Sequence, residues 1–176
     1  MQTVHMPNTD ASSTLYFAIK SLRGWYEVLQ GAENSMMPGF RRNVGTVVSS
    51  VLLASGEEVS PVAVTGSLDD SFSGTLLVVY PNFLVMVDAL RLESDSASHV
   101  TKLCPVASAS AIVIETKHSY YDGTEEHPRH KGFVFSVVLG GQRIQIGGSA
   151  YPRQSPLVED SAIYEAFKVV RDRITA

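Results

Sequence analysis

The chain has 176 residues, of which 44% are hydrophobic and 18% charged, and its formal net charge is −4. That length and apolar content suit one domain with a real core, and they exclude a disordered chain. The acidic balance argues against nucleic acid as a partner, and the single cysteine excludes an internal disulfide.

Residues 1–11 carry no periodic pattern and read as a loose tail. They contain no basic region followed by an apolar core, so a secretory signal is not expected. From Ser12 the pattern changes. Ser12 or Ser13 can cap a helix, and Leu15, Ala18, Ile19, Leu22, Tyr26 and Leu29 fall at helical spacing. The spacing predicts a helix over 13–30, seated by Trp25 and stopped at Gly31. After the breakers Pro38 and Gly39, a second helical stripe runs through Phe40, Val44, Val47, Val48, Val51 and Leu52 and ends at Gly56. Residues 12–54 therefore read as an N-terminal helical hairpin.

Residues 55–73 form an acidic linker rich in turn residues, with a candidate strand around Val62 to Thr65. Beyond it the chain reads as strand after strand. The runs are Thr75 to Val79, Phe83 to Leu90 across the turn Tyr80-Pro81-Asn82, a weaker one from Val100 to Val106, and Ala111 to Thr116. Gly132 to Leu139 alternates, with Phe133, Phe135 and Val137 on one face. Gly140-Gly141 supplies the positive φ of a two-residue hairpin turn, and Gln142 to Gly147 closes it. The last element is a helix over 157–174, capped by Ser155, opened by Pro156, and buried through Ile163, Phe167, Val170 and Ile174. No apolar stretch is long enough to cross a bilayer, because Pro81, Asn82 and Asp88 break the run from Leu76 to Leu90. A soluble cytoplasmic protein is the expectation.

The fold class that follows is α+β: an antiparallel curved sheet or partly open barrel of six to seven strands, capped by the C-terminal helix and preceded by the helical hairpin. The segments "GTLLVVYPNFLVMVDAL", "VTKLCPVASASAIVIE" and "GFVFSVVLGGQRIQIGG", with the terminal helix, resemble a pleckstrin-homology-like domain of the GRAM or bacterial PH type over residues 74–176. The spacing departs from that family at "VTKLCPVASAS". A START or Bet v 1 helix-grip fold is the second resemblance, although that family opens with a strand for which residues 1–11 are poor material.

Chemistry is harder to find. "HSYYDGTEEHPRH" holds His118, His127 and His130 near Asp122, at a spacing that would permit metal ligation if the loop folded back. Its Tyr-Asp-Gly and Glu-His-Pro segments are turn-formers, so a solvated loop between strands is the reading adopted, with no metal and no cofactor. The adjacent pairs Glu57-Glu58, Asp69-Asp70 and Glu125-Glu126 point apart in an extended chain and make poor acid/base partners. "GGSA" at 147 is like a phosphate loop in composition only, and Cys104 reads as a small buried hydrophobe. No catalytic motif is present, and an enzyme is not expected.

The resemblance implies a binding module. Phosphoinositide binding is disfavoured, because between Arg42 and Lys102 the only base is Arg91, against Glu57, Glu58, Asp69, Asp70, Asp88, Glu93 and Asp95. Arg41-Arg42 beside Phe40 is a candidate peripheral anchor, though a charged helix start is the plainer reading. The first functional reading is an interaction module contacting a protein or peptide at a sheet edge or beside the last helix, with self-association as a variant. The alternative is a carrier of a small apolar ligand, its pocket lined by Trp25, Tyr26, Phe133 and Phe135.

Overall fold

The computed structural model describes residues 10–33, 38–56, 59–115, 133–148 and 156–175. Three helices come first: α1 (Ala11–Lys20), α2 (Trp25–Glu33) and α3 (Pro38–Ser55). Seven strands follow: β1 (Ala63–Leu68), β2 (Gly74–Val79), β3 (Phe83–Leu90), β4 (Ser98–Pro105), β5 (Ala109–Glu115), β6 (Val134–Leu139) and β7 (Gln142–Ile146). A short 3-10 turn, Val106–Ser108, separates β4 from β5, and α4 (Pro156–Ile174) ends the fold. The strands form two open antiparallel sheets, ordered β1-β2-β3-β4 and β5-β6-β7, where the sequence pattern predicts one curved sheet or partly open barrel. The four-stranded sheet begins with β1, inside the stretch read as a linker, paired to β2 from Ala63 opposite Val79 to Leu68 opposite Gly74.

The central strands of the first sheet, β2 and β3, are buried on both faces. Leu76, Val78 and Tyr80 of β2 and its following turn, with Val85, Val87 and Ala89 of β3, pack against Leu15, Ile19, Trp25, Leu29, Val44, Val47 and Val51 of the helices. The alternate residues Leu77, Val79, Leu84 and Met86 pack against Phe135, Val137 and Ile146 of the second sheet and Ile163, Ala166 and Val170 of α4. Period-two alternation puts one set on each side, so β2 and β3 have no wet face and read as apolar runs, while no residue of β4 is fully buried. Helix α4 packs on β1, β5, β6 and the 3-10 turn. Its Phe167 ring meets Phe133 at 5.1 Å and Phe135 at 5.5 Å, both edge-to-face.

Two local expectations change. The first helix starts at Ala11, with Asp10 rather than Ser12 or Ser13 as cap: its carboxylate accepts from the Ser12 amide at 3.4 Å. The predicted single helix is also two helices, broken at Ser21–Gly24. Gly24 has φ +78°, and a Cβ there would lie 2.7 Å from the Leu68 Cβ and carbonyl oxygen. The Leu68 amide donates to the Arg23 carbonyl at 3.3 Å. Close approach to β1 therefore overrides helix continuity, and the N-terminal hairpin has three helices instead of two. Gly31 does not end α2, which runs to Glu33; its missing side chain leaves space for the Phe40 ring.

Gly24→Ala should lower the unfolding free energy by roughly 2–4 kcal/mol, combining the left-handed backbone and the clash with Leu68. Gly45→Ala, inside α3 with open space around it, should raise it by about 0.5–1 kcal/mol. Urea unfolding measures both, and a Gly24→Ala variant as stable as the parent would show that Leu68 does not fix the break.

Candidate functional site

Most of the residues singled out from the sequence turn out to be structural or lie elsewhere. His118, Asp122, His127 and His130 lie outside the described residues, as do Glu57-Glu58, Glu125-Glu126 and Ser155. Among the described residues no group of three metal-ligating side chains gathers. Asp69 builds a turn: one carboxylate oxygen accepts from the Ser71 amide at 2.9 Å, the Ser71 hydroxyl at 2.7 Å and the Ser73 amide at 2.9 Å. These bonds, the hydroxyl first, hold its pKa below the usual carboxylate value. Cys104 is half-buried on β4 against the second core. Gly147 ends β7, and its amide donates to the Thr65 hydroxyl at 3.2 Å.

Packing favours the plainer reading at two of these places. Phe40 is buried with its ring edge-on to Phe72 at 5.1 Å, so it cannot act with Arg41 and Arg42 as a membrane anchor; the two arginines are exposed on the first turns of α3. The four aromatics expected to line a carrier pocket do not converge. Trp25 lies in the core beneath the helices, its indole N–H donating to the Thr75 carbonyl at 3.2 Å, while Phe133 and Phe135 lie in the other core. The first sheet stands between them.

One side-chain network joins ionisable groups. Glu33 at the end of α2 accepts from the Tyr16 hydroxyl and from Lys20 at 2.8 Å, both on α1. Burial, and then the Glu33 carboxylate, push the Tyr16 pKa up from 10.0 to about 12. The Lys20 and Tyr16 hydrogen bonds hold Glu33 low. The triad is surface-exposed and closes the angle between α1 and α2, where the helix break would otherwise leave them free to swing.

The feature that stands apart is the flank formed by β4 and β5. Among the described strands each is the last of its sheet, and the 3-10 turn joins them, so two edges that no described strand pairs start from one corner. Near that corner the inner faces touch: Cys104, Ala109 and Ile112 pack on the second core. Five residues out on each strand they do not. Val100 lies opposite Asp88, on the face of β3 that carries Leu84 and Met86, and Ile114 lies opposite Phe135. Both positions face inward by alternation, yet Val100 is 56% exposed and Ile114 54%. At about 3.3 Å per residue this exposure begins within roughly 17 Å of the corner. These two inward apolar positions are therefore uncovered, with the Lys102–Asp88 ion pair (3.2 Å) on the same face of the first sheet. Sequence reasoning missed Val100 and Ile114 because alternation marks them as core, and nothing in a strand's own residues records whether a facing layer covers them.

No family model, no curated protein and no solved structure matches the chain. Among the described residues no helix is long and apolar enough to cross a membrane.

The Tyr16 network has a testable titration. Neutral Tyr16 is favoured by the fold, so its contribution to stability is present below pH 10 and lost as pH rises towards 12. Glu33→Gln should bring the Tyr16 midpoint, followed by ring carbon NMR, part of the way back towards 10.0, because burial is the larger cause. An unchanged midpoint would show that the carboxylate has no part in it.

Proposed function

We propose that the chain is a non-enzymatic interaction module of pleckstrin-homology-like build, which binds an extended apolar segment of a partner protein along the β4/β5 flank. The order of elements supports the build: four antiparallel strands, then three, then a helix packed across both groups. The observation that carries the function is the paired exposure of Val100 and Ile114 at inward positions beside two edges that no described strand pairs. An exposed strand edge offers a row of backbone donors and acceptors, and alternate side chains of an added strand need a pocket.

Of the two edges, β5 is the better acceptor. From Ala109 to Ile114 it carries no charge and no proline, the devices that usually protect an edge. β4 carries Lys102 and ends at Pro105. An added strand on β5 would direct every second side chain towards the inward faces that carry Ile114 and Val100. A second copy of the chain could use the same edge, and sedimentation at several concentrations separates that arrangement from binding to another protein. The carrier reading has no converged aromatic pocket behind it.

Selection from a library of displayed linear peptides should enrich sequences with alternating apolar residues. Ile114→Lys and Val100→Lys should each weaken the enriched peptides by about tenfold or more, or about 1.4 kcal/mol. Both positions are exposed, so melting temperatures should move by only a few degrees. No enrichment, or enriched peptides that bind both lysine variants as well as the parent, would overturn the assignment.

A further inference from the structure

The opposite flank, where β1 and β7 part, holds a second concave site. A cleft of about 440 Å³ opens there, in the size range of small-ligand sites. Gly147, bonded to Thr65, ties the two strands together at one point of this gap. The floor is apolar, from Leu77 and Met86 of the first sheet and Ile144 of β7. Three charged side chains border it: Arg23, Asp88 and Arg143. Asp88 is engaged by Lys102 at 3.2 Å and Arg143 by Glu115 at 2.8 Å. Among the described residues Arg23 makes no ion pair and no side-chain hydrogen bond.

We propose that this cleft binds a small organic anion, a carboxylate or phosphate head on a short apolar body, with Arg23 as its counter-charge. The guanidinium offers a planar fork of donors suited to either head group, and the floor suits the body. The backbone explains how Arg23 comes to be there. It sits in the break between α1 and α2, held by the hydrogen bond from the Leu68 amide to its carbonyl and by the close approach of Gly24 to Leu68. An unbroken helix would leave residue 23 as one more position on a helix surface, so the same contact that interrupts the helix places a cation at the mouth of the cleft. The nearest rivals for that cation are Asp69 and Asp70, which border an adjoining hollow with Arg23. Asp69 is already occupied by Ser71 and Ser73, and Asp70 forms no ion pair with the arginine. The cleft uses the other pair of sheet edges, although Asp88, paired with Lys102 of β4, borders both gaps.

The test uses octanoate, octanol and inorganic phosphate as probes, with amide NMR and titration calorimetry on the full chain. Octanoate should shift the amides of Gln142 to Gly148 and Gly66, and octanol should not. Arg23→Gln should weaken octanoate by about tenfold, and Arg23→Lys, which keeps the charge but loses the fork, should fall between Arg23→Gln and the parent. Phosphate that shifts the same amides and is lost in Arg23→Gln would also support the site and assign it a phosphate head. Arg23 is exposed, so both variants should keep the parent melting temperature. Absence of shifts with both anions, equal binding of octanol, or an affinity unchanged in Arg23→Gln would overturn the proposal.

Discussion

Strands β2 and β3 are buried on both faces, and the rest of the molecule is arranged around that constraint. A sheet with one wet face needs a single covering layer. This one needs two, because Leu76, Val78, Val85 and Val87 point one way while Leu77, Val79, Leu84 and Met86 point the other. Helices α1, α2 and α3 supply one cover, and the second sheet with α4 supplies the other. Each side chain moved from water into such a core contributes about 1.5–3 kcal/mol before the cost of ordering the chain. The two cores therefore stand or fall with one shared wall.

Polar ties at the rim fix how the helical cover sits on that wall. The Asn43 amide nitrogen donates to the Leu92 carbonyl at 2.8 Å and the Ser94 carbonyl at 3.1 Å, and the Ser50 and Thr101 hydroxyls meet at 2.7 Å. With the Trp25 indole on the Thr75 carbonyl, these bonds set the register of helices against strands, which apolar contacts alone would leave free to slide. On the other side the second sheet is held by the apolar core it shares with the first, by α4, by the turn from β4 to β5 and by the Gly147–Thr65 hydrogen bond, and no described strand pairs it to the first. Without strand pairing between them, the sheets leave both flanks open. The uncovered apolar positions Val100 and Ile114 and the polar cleft at Arg23 are the two results, and they differ in chemistry because mostly different residues border each gap.

Much of this was legible in the sequence. The strands expected at Thr75 to Val79 and Phe83 to Leu90 are β2 and β3, within a residue of their observed bounds. Gly140 and Gly141 have φ of +55° and +82°, as a tight hairpin demands. In α4 the apolar face is the one expected: Ile163 and Val170 are buried, Phe167 and Ile174 are half-buried against the same core, and Ala166 completes the contact. The helix break at Ser21–Gly24 was hidden because its cause, Leu68, lies on a strand more than forty residues further on. Two sheets instead of one were hidden because a pairing that fails to form between β4 and β5 leaves no mark on either strand. Both candidate sites fall in these hidden features, so the sequence pointed to the architecture and away from the places where a ligand can enter.

The shared wall makes a direct demand on cooperativity. The chain has one tryptophan, Trp25, so its fluorescence reports only the core beneath the helices. The methyl signals of Ile146 and Ile163 report only the core beneath α4. Followed together through a urea titration, the two should give one transition with the same midpoint. A second core that melts away while Trp25 keeps its native emission would contradict the account, because each core would then have its own support.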